Sequence, residues 1–378
     1  MSHQQINPFT PTFGSIPLQM AGRGKIITDI LNGLDNGPGD PNRASIFVGA
    51  RGSGKTVLLA KIAEEASANG WISVNVNAVP DMLDEILIQV RDNAKEFLTP
   101  ESLSYITSIS LPGVSVSRSM NQSERKTTWR SDMTMVLKEL NKQGTGLLIT
   151  VDEVNVRVEE MRSLIVNFQH FIRERRDIAL IMAGLPHKVS SLLRDDSISF
   201  LRRAFQHNLE PIEETEVRFS LKKTTESAGR SIESDALDLA SKSTKGFPFM
   251  IQLIGYHMWR QRQESEIISS EDVVEGIHLA RNDLERMIFE TTYRELSEKD
   301  LAFLSAMLCD SGSDYSTISD ICKRMDISSK YAGIYRKRLI EQGIIGSRGH
   351  GKVAFELPMF KDYLRNRVGV VLADLERL

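Results

Sequence analysis

The rhythm of apolar positions changes twice along the chain. Within "AGRGKIITDILNGL", Ile26, Ile27, Ile30, Leu31 and Leu34 recur at helical spacing, and "DNGPGDPNR" (35–43) then reads as a loop. Five short, apolar, strand-like runs follow: "ASIFVGA" (44–50), "WISVNVNA" (71–78), "GLLITVDEV" (146–154), "IALIMAGL" (178–185) and "FQHNLEP" (205–211). They alternate with helical stretches, which predicts a parallel sheet covered on both faces. One segment breaks the alternation. "YITSISLPGVSVSRS" (105–119) has β-branched residues around Pro112-Gly113, fitting an inserted hairpin or an ordinary decorating loop.

From about 215 to 293 the period is helical only. Gly246-Phe247-Pro248 combines a stop with a first-turn proline, and Ser269-Ser270-Glu271-Asp272 suits a capping box. A third unit begins near Leu296-Ser297-Glu298. It holds two short helical patterns, a longer one and a glycine-rich strand–turn–strand stretch. The expected division is an extended segment over 1–20, an α/β core over 21–214, a helical unit over 215–293 and a C-terminal domain over 294–378.

Length and composition add little. The 378 residues suit two or three domains, and 41% hydrophobic with 26% charged residues is ordinary for a globular protein. A net charge of −3 means that any nucleic-acid contact must come from a local patch. Cys309 and Cys322 form no CxxC pair, and the seven histidines have no metal-ligand spacing, so both thiols are expected as small core residues of a reduced protein. No apolar run is long enough for a membrane helix, and the polar N-terminus lacks a signal-like apolar core; the cytoplasm is the expected compartment.

"GARGSGKT" changes the picture. Gly49–Thr56 fits G-x-x-x-x-G-K-[ST] in full, between a predicted strand and a predicted amphipathic helix. Glycines let the backbone curl so that successive N–H groups face phosphate oxygens, and the helix beginning at Lys55 adds its positive end. Gly49, Ala50, Arg51, Gly52, Ser53, Gly54, Lys55, Thr56 and Val57 are the expected ATP contacts, with Lys55 on the β- and γ-phosphates. Thr56 and Asp152 are the expected Mg²⁺ residues, and Glu153 the group that polarises the attacking water. An adjacent Asp-Glu pair points to hydrolysis, since binding alone does not need the second carboxylate. The strand order this implies sets "IALIMAGL" between the strands carrying the loop and the carboxylates.

With these motifs, residues 7–293 resemble an AAA+ ATPase, most nearly the origin-recognition and cell-division-control initiator ATPases and their prokaryotic relatives. "NPFTPTFGSIPLQMAGR" is similar to that family's N-terminal linker and adenine-side box, which implies that Arg23 borders the base. "FLRRA" stands where such ATPases carry an arginine for a neighbouring subunit's γ-phosphate. The resemblance thus implies a catalytic role for Arg202 or Arg203 in a homo-oligomer, although a bare basic pair also fits a solvated face. Two departures stand out. Ala183-Gly184 replaces the usual polar first sensor, and Pro248-Phe249 stands near the usual second-sensor arginine, as in related signal-transduction and transposition-helper ATPases. Slow hydrolysis or a nucleotide-dependent switch is the implied consequence.

The C-terminal stretch "TISDICKRMDISSKYAGIYRKRLIEQGIIGSRGHGKVAFELP" (317–358) resembles a winged helix-turn-helix. Ala332, Tyr335 and Leu339 should form the inner side of its second helix, with Ser329, Lys330, Gly333, Arg336 and Lys337 outside. Between 321 and 352 there are eight basic residues against two acids, a local excess of six. Ser329, Lys330, Arg336 and Lys337 on the helix, with Arg348 and Lys352 at the wing, are the expected contacts to double-stranded DNA. Winged helices also serve protein contacts. Two functions therefore stay open: a DNA-associated ATPase whose nucleotide state sets lid angle or assembly, and a slow switch whose winged helix docks a protein partner.

Overall fold

The computed structural model describes residues 6–12, 14–100, 129–310 and 313–375; the segment 105–119 lies outside them. The chain forms two compact units: Arg23–Val48 with Lys55–Leu209, and Met1–Gly22 with Gly49–Gly54 and Glu210–Leu378.

The α/β unit contains α1 (Gly24–Asp35), β1 (Ala44–Val48), α2 (Lys55–Ala68), β2 (Ile72–Asn77), α3 (Met82–Asn93), α4 (Trp129–Lys142), β3 (Leu147–Asp152), α5 (Glu159–Arg173), β4 (Ile178–Gly184), α6 (Pro186–Leu193) and β5 (Phe205–Asn208). The five strands pair in parallel in the order β2-β3-β4-β1-β5. All five predicted strands are present, and β4 lies between β1 and β3, with Met182 opposite both Ile46 and Val151. Central strands are wet on neither face, and the unbroken apolar runs of β3 and β4 are buried accordingly. The edge strand β5 is mostly exposed.

One cation is built into this core. The Arg43 side chain is buried ahead of β1; its Nε donates to the Gly33 carbonyl at 2.9 Å, and its Nη1 meets Asp177 at 3.0 Å. It also donates to the Leu34 carbonyl and lies over the Trp71 ring at 5.0 Å. A buried charge persists only when so surrounded, which ties the end of α1 to the sheet.

The second unit continues with α7 (Glu214–Ser227), β6 (Ser231–Ile232), α8 (Ser234–Ser243), α9 (Pro248–Arg260), β7 (Ile267–Ile268) and α10 (Ser270–Leu284), then α11 (Glu290–Arg294) after a π turn. The expected box at the start of α10 forms between Ser269 and Asp272, and Pro248 opens α9. The two-residue pair of β6 and β7, and the π turn inside a helix expected to be continuous, are not predicted by the period. Next come α12 (Glu298–Leu308), β8 (Ser316–Thr317), α13 (Ile318–Met325), α14 (Ser329–Glu341), β9 (Ile345–Ser347), β10 (Lys352–Phe355) and α15 (Phe360–Leu375). Strand β10 pairs antiparallel with both β8 and β9. Ala332, Tyr335 and Leu339 are buried, as the spacing of α14 predicts. One apolar core runs from α7 to α15.

The N-terminal segment belongs to this core. Phe9 is 2% exposed, and a Cβ on Gly255 of α9 would lie 2.3 Å from its ring. The ring therefore sits directly against helix backbone, which only glycine allows. Asn7 Nδ2 donates to the Tyr256 carbonyl at 3.0 Å and the Thr10 amide to Gln252 Oε1 at 3.1 Å, so polar groups flank the ring. Among the described residues, no helix is long and apolar enough to cross a membrane. Phe9→Ala should cost about 3 kcal/mol through lost burial and the cavity left behind; a denaturant midpoint unchanged from the wild type would show that the segment does not dock.

Candidate nucleotide site and C-terminal basic face

The glycine loop needs its glycines. Gly52 and Gly54 have φ of 78° and 85°, a region that residues with a Cβ seldom occupy. Nothing lies within 4 Å of a Cβ placed on Gly52, so that side of the backbone is open to a phosphate. Ser53 is buried and, among the described residues, its Oγ has no hydrogen-bond partner. Open backbone and a buried, unsatisfied hydroxyl fit a group bearing oxygen acceptors. Pro248 lies 3.4 Å from the position of a Gly54 Cβ, so an apolar ring occupies the place near which the resemblance implies an arginine.

The loop runs directly into α2, whose first residue, Lys55, is 6% exposed. Thr56 Oγ1 donates to Asp152 Oδ2 at 2.5 Å, joining the first turn of α2 to the end of β3. A hydroxyl and a carboxylate held together in this way fit a hard divalent cation such as Mg²⁺, which takes oxygen ligands. Glu153 follows with φ of 54°, unusual for a residue with a side chain, and its N–H donates to Asp152 Oδ1 at 2.8 Å. Such a turn costs ~1–3 kcal/mol and persists where surrounding structure enforces it.

The sequence reading missed Lys188. It stands in the first turn of α6 and its Nζ meets Glu153 Oε2 at 2.8 Å. The pair is partly exposed, so it orients the carboxylate more than it stabilises the fold. The Pro186 opening of α6 was the available signal, since it fixes where that first turn must project. At the end of β4, a Cβ on Gly184 would lie 2.4 Å from Val154 Cγ2. Val154 fills the space that a polar sensor side chain would need.

Arg202 and Arg203 end a 3-10 segment over Asp196–Arg203. Its N-cap Asp195 is held by Ser197 and by Arg162, which push the Asp195 carboxyl down to about 2. Both are exposed; Arg202 donates to the Leu193 carbonyl at 2.8 Å and meets Asp196 at 3.3 Å. Arg23 stands at the N-cap position of α1 without a side-chain capping bond, and burial pushes its guanidinium below the usual arginine range.

On α14, Ser329, Lys330 and Lys337 are exposed; Arg336 is partly buried and donates to Ser347 Oγ at 3.3 Å. Ser328 caps the helix. The local positive excess is smaller than a count along the sequence implies. Arg338 is bound to Asp300 at 2.6 Å, Arg324 to Asp310 at 2.5 Å and Arg348 to Glu356 at 3.8 Å, all acids outside the counted window. Lys352 lies over the Tyr315 ring at 4.1 Å.

A family model described as "Domain of unknown function (DUF8462)" matches residues 286–364. No curated protein matches the sequence. Among solved structures, the chain is similar to a Walker-type ATPase of Pyrococcus abyssi at 14% identity and TM-score 0.62, over 92% of this chain and 96% of that one. It is also similar to the ORC2 protein of Aeropyrum pernix in its ADP form, at 15% identity and TM-score 0.52, over 96% of this chain and 98% of that one. At such identities the likeness speaks for fold alone. With β4 inserted between β1 and β3, a glycine loop leading into α2 and a largely helical second unit, the chain has the AAA+-type P-loop fold of these two solved structures.

Proposed function

We propose that this protein binds and slowly hydrolyses ATP with Mg²⁺, and binds double-stranded DNA through its C-terminal domain, read as a winged helix with α14 in the major groove. The observation that carries the first half is the Thr56–Asp152 bond, with Glu153 next in sequence and Lys55 opening α2. In this reading Gly49–Val57 cradle the triphosphate, Lys55 neutralises it, and Thr56 and Asp152 hold the Mg²⁺. The ion supplies charge neutralisation on the phosphates. Glu153 takes the proton of the attacking water, with Lys188 orienting its carboxylate. Arg203, exposed beside the engaged Arg202, is the residue offered to the nucleotide of a second copy. The likeness to a protein described as a Walker-type ATPase supports the reading.

Lys330, Arg336 and Lys337 on α14 would meet phosphates or base edges, with Arg348 and Lys352 at the wing. Nucleotide state would then change DNA affinity or self-association. A second reading, a switch whose C-terminal domain docks a protein, is favoured by the pairing of Arg324, Arg338 and Arg348 with acids.

Lys55→Ala should abolish ATP binding. Glu153→Gln should bind ATP while its turnover falls by about 100-fold or more, as for loss of a general base; single-turnover hydrolysis at the wild-type rate would remove Glu153 from that role. Lys330→Glu with Arg336→Glu should weaken duplex binding and leave ATP affinity unchanged. With about three cations on α14 meeting phosphates, log affinity against log salt should fall with a slope of roughly −3. A flat salt response in an anisotropy titration would favour the protein-docking reading.

A further inference from the structure

The outward face of α14 is not uniformly polar. Ile334 is 55% exposed and Tyr331 beside it 43% exposed, although the helix already buries Ala332, Tyr335 and Leu339. Lys330, Ile334 and Lys337 follow one another at spacings of four and three, so they form one line along the helix with the isoleucine in the middle. Among the described residues, neither lysine pairs with an acid, in contrast to Arg324 and Arg338 on the same pair of helices. Gly333 adjoins Ile334, and nothing lies within 4 Å of a Cβ built there, so no side chain stands off an approaching surface on that flank.

An apolar centre bracketed by unpaired lysines narrows the choice of partner. Lysine is depleted at the centre of protein–protein interfaces, because burying its ammonium is costly. Duplex DNA offers the complementary arrangement: phosphates on both walls of the major groove, and between them one apolar group on the base edges, the C5-methyl of thymine. We propose that Ile334, with Tyr331 at its side, is the specificity-determining contact of α14, and that it selects duplexes presenting thymine methyl groups while Lys330 and Lys337 hold the flanking phosphates. This rests on the DNA-binding reading above and adds the base chemistry that the helix recognises.

The test is fluorescence anisotropy with the full chain at low salt. It uses an alternating adenine–thymine duplex and the same duplex with uracil in place of every thymine, which removes only the methyl groups. Burying one methyl is worth about 0.8 kcal/mol, so the uracil duplex should bind about fourfold more weakly. Ile334→Ala should bind the thymine duplex about as weakly as the wild type binds the uracil duplex, and should no longer distinguish the two. Ile334 is exposed, so the variant keeps its core, and unchanged circular dichroism with unchanged ATP binding would verify this. Equal wild-type affinity for both duplexes would overturn methyl recognition and leave DNA binding standing. A thymine preference that survives in Ile334→Ala would overturn the assignment to Ile334, since duplex shape would then carry it. No binding to either duplex would overturn the DNA-binding reading itself, and the methyl contact with it.

Discussion

The hydrogen bond from Thr56 to Asp152 is made across a sheet in which β4 lies between β1 and β3. One intervening strand sets the ends of β1 and β3 about 10 Å apart, two strand spacings. That gap can be closed from both sides by short side chains reaching inward, a threonine from the first turn of α2 and an aspartate from the last residue of β3. β4 separates the two strands with every residue closed to solvent and contributes no polar side chain between them.

Two close contacts lie at the places where the resemblance implies polar sensor side chains. Gly184 ends β4 against Val154, and Pro248 stands against Gly54. At Gly184 even a Cβ would have to displace Val154, whereas Pro248 is in ordinary contact with the Gly54 position. The charged group that meets Glu153 comes instead from α6, one turn beyond β4. The α/β unit thus supplies a cation close to its carboxylates from a position that the familiar motif does not name.

How much of this could be read from the sequence follows from the range of each interaction. The five strands, the insertion of β4, the capping box at Ser269 and the inner face of α14 depend on local periodicity or on topology rules, and they are legible. The Lys188–Glu153 pair joins residues 35 apart across a strand end, and no window of sequence brings them together. Counting charges along 321–352 overstated the positive face because Arg338 finds Asp300, 38 residues back, and Arg324 finds Asp310. Linear composition registers every charge, but a folded surface presents only those without a partner. The docking of Phe9 was illegible for the same reason, since nothing near residue 9 names a glycine in α9.

That notch at Gly255 has a consequence beyond stability. The ring at position 9 and the missing side chain at position 255 occupy one volume, so each defines what the other can be. A methyl group added at 255 would demand a smaller residue at 9, and a smaller residue at 9 would make a larger one at 255 tolerable. Through evolutionary time the two sites should therefore change as a pair, making positions near opposite ends of the first two-thirds of the chain a single heritable character.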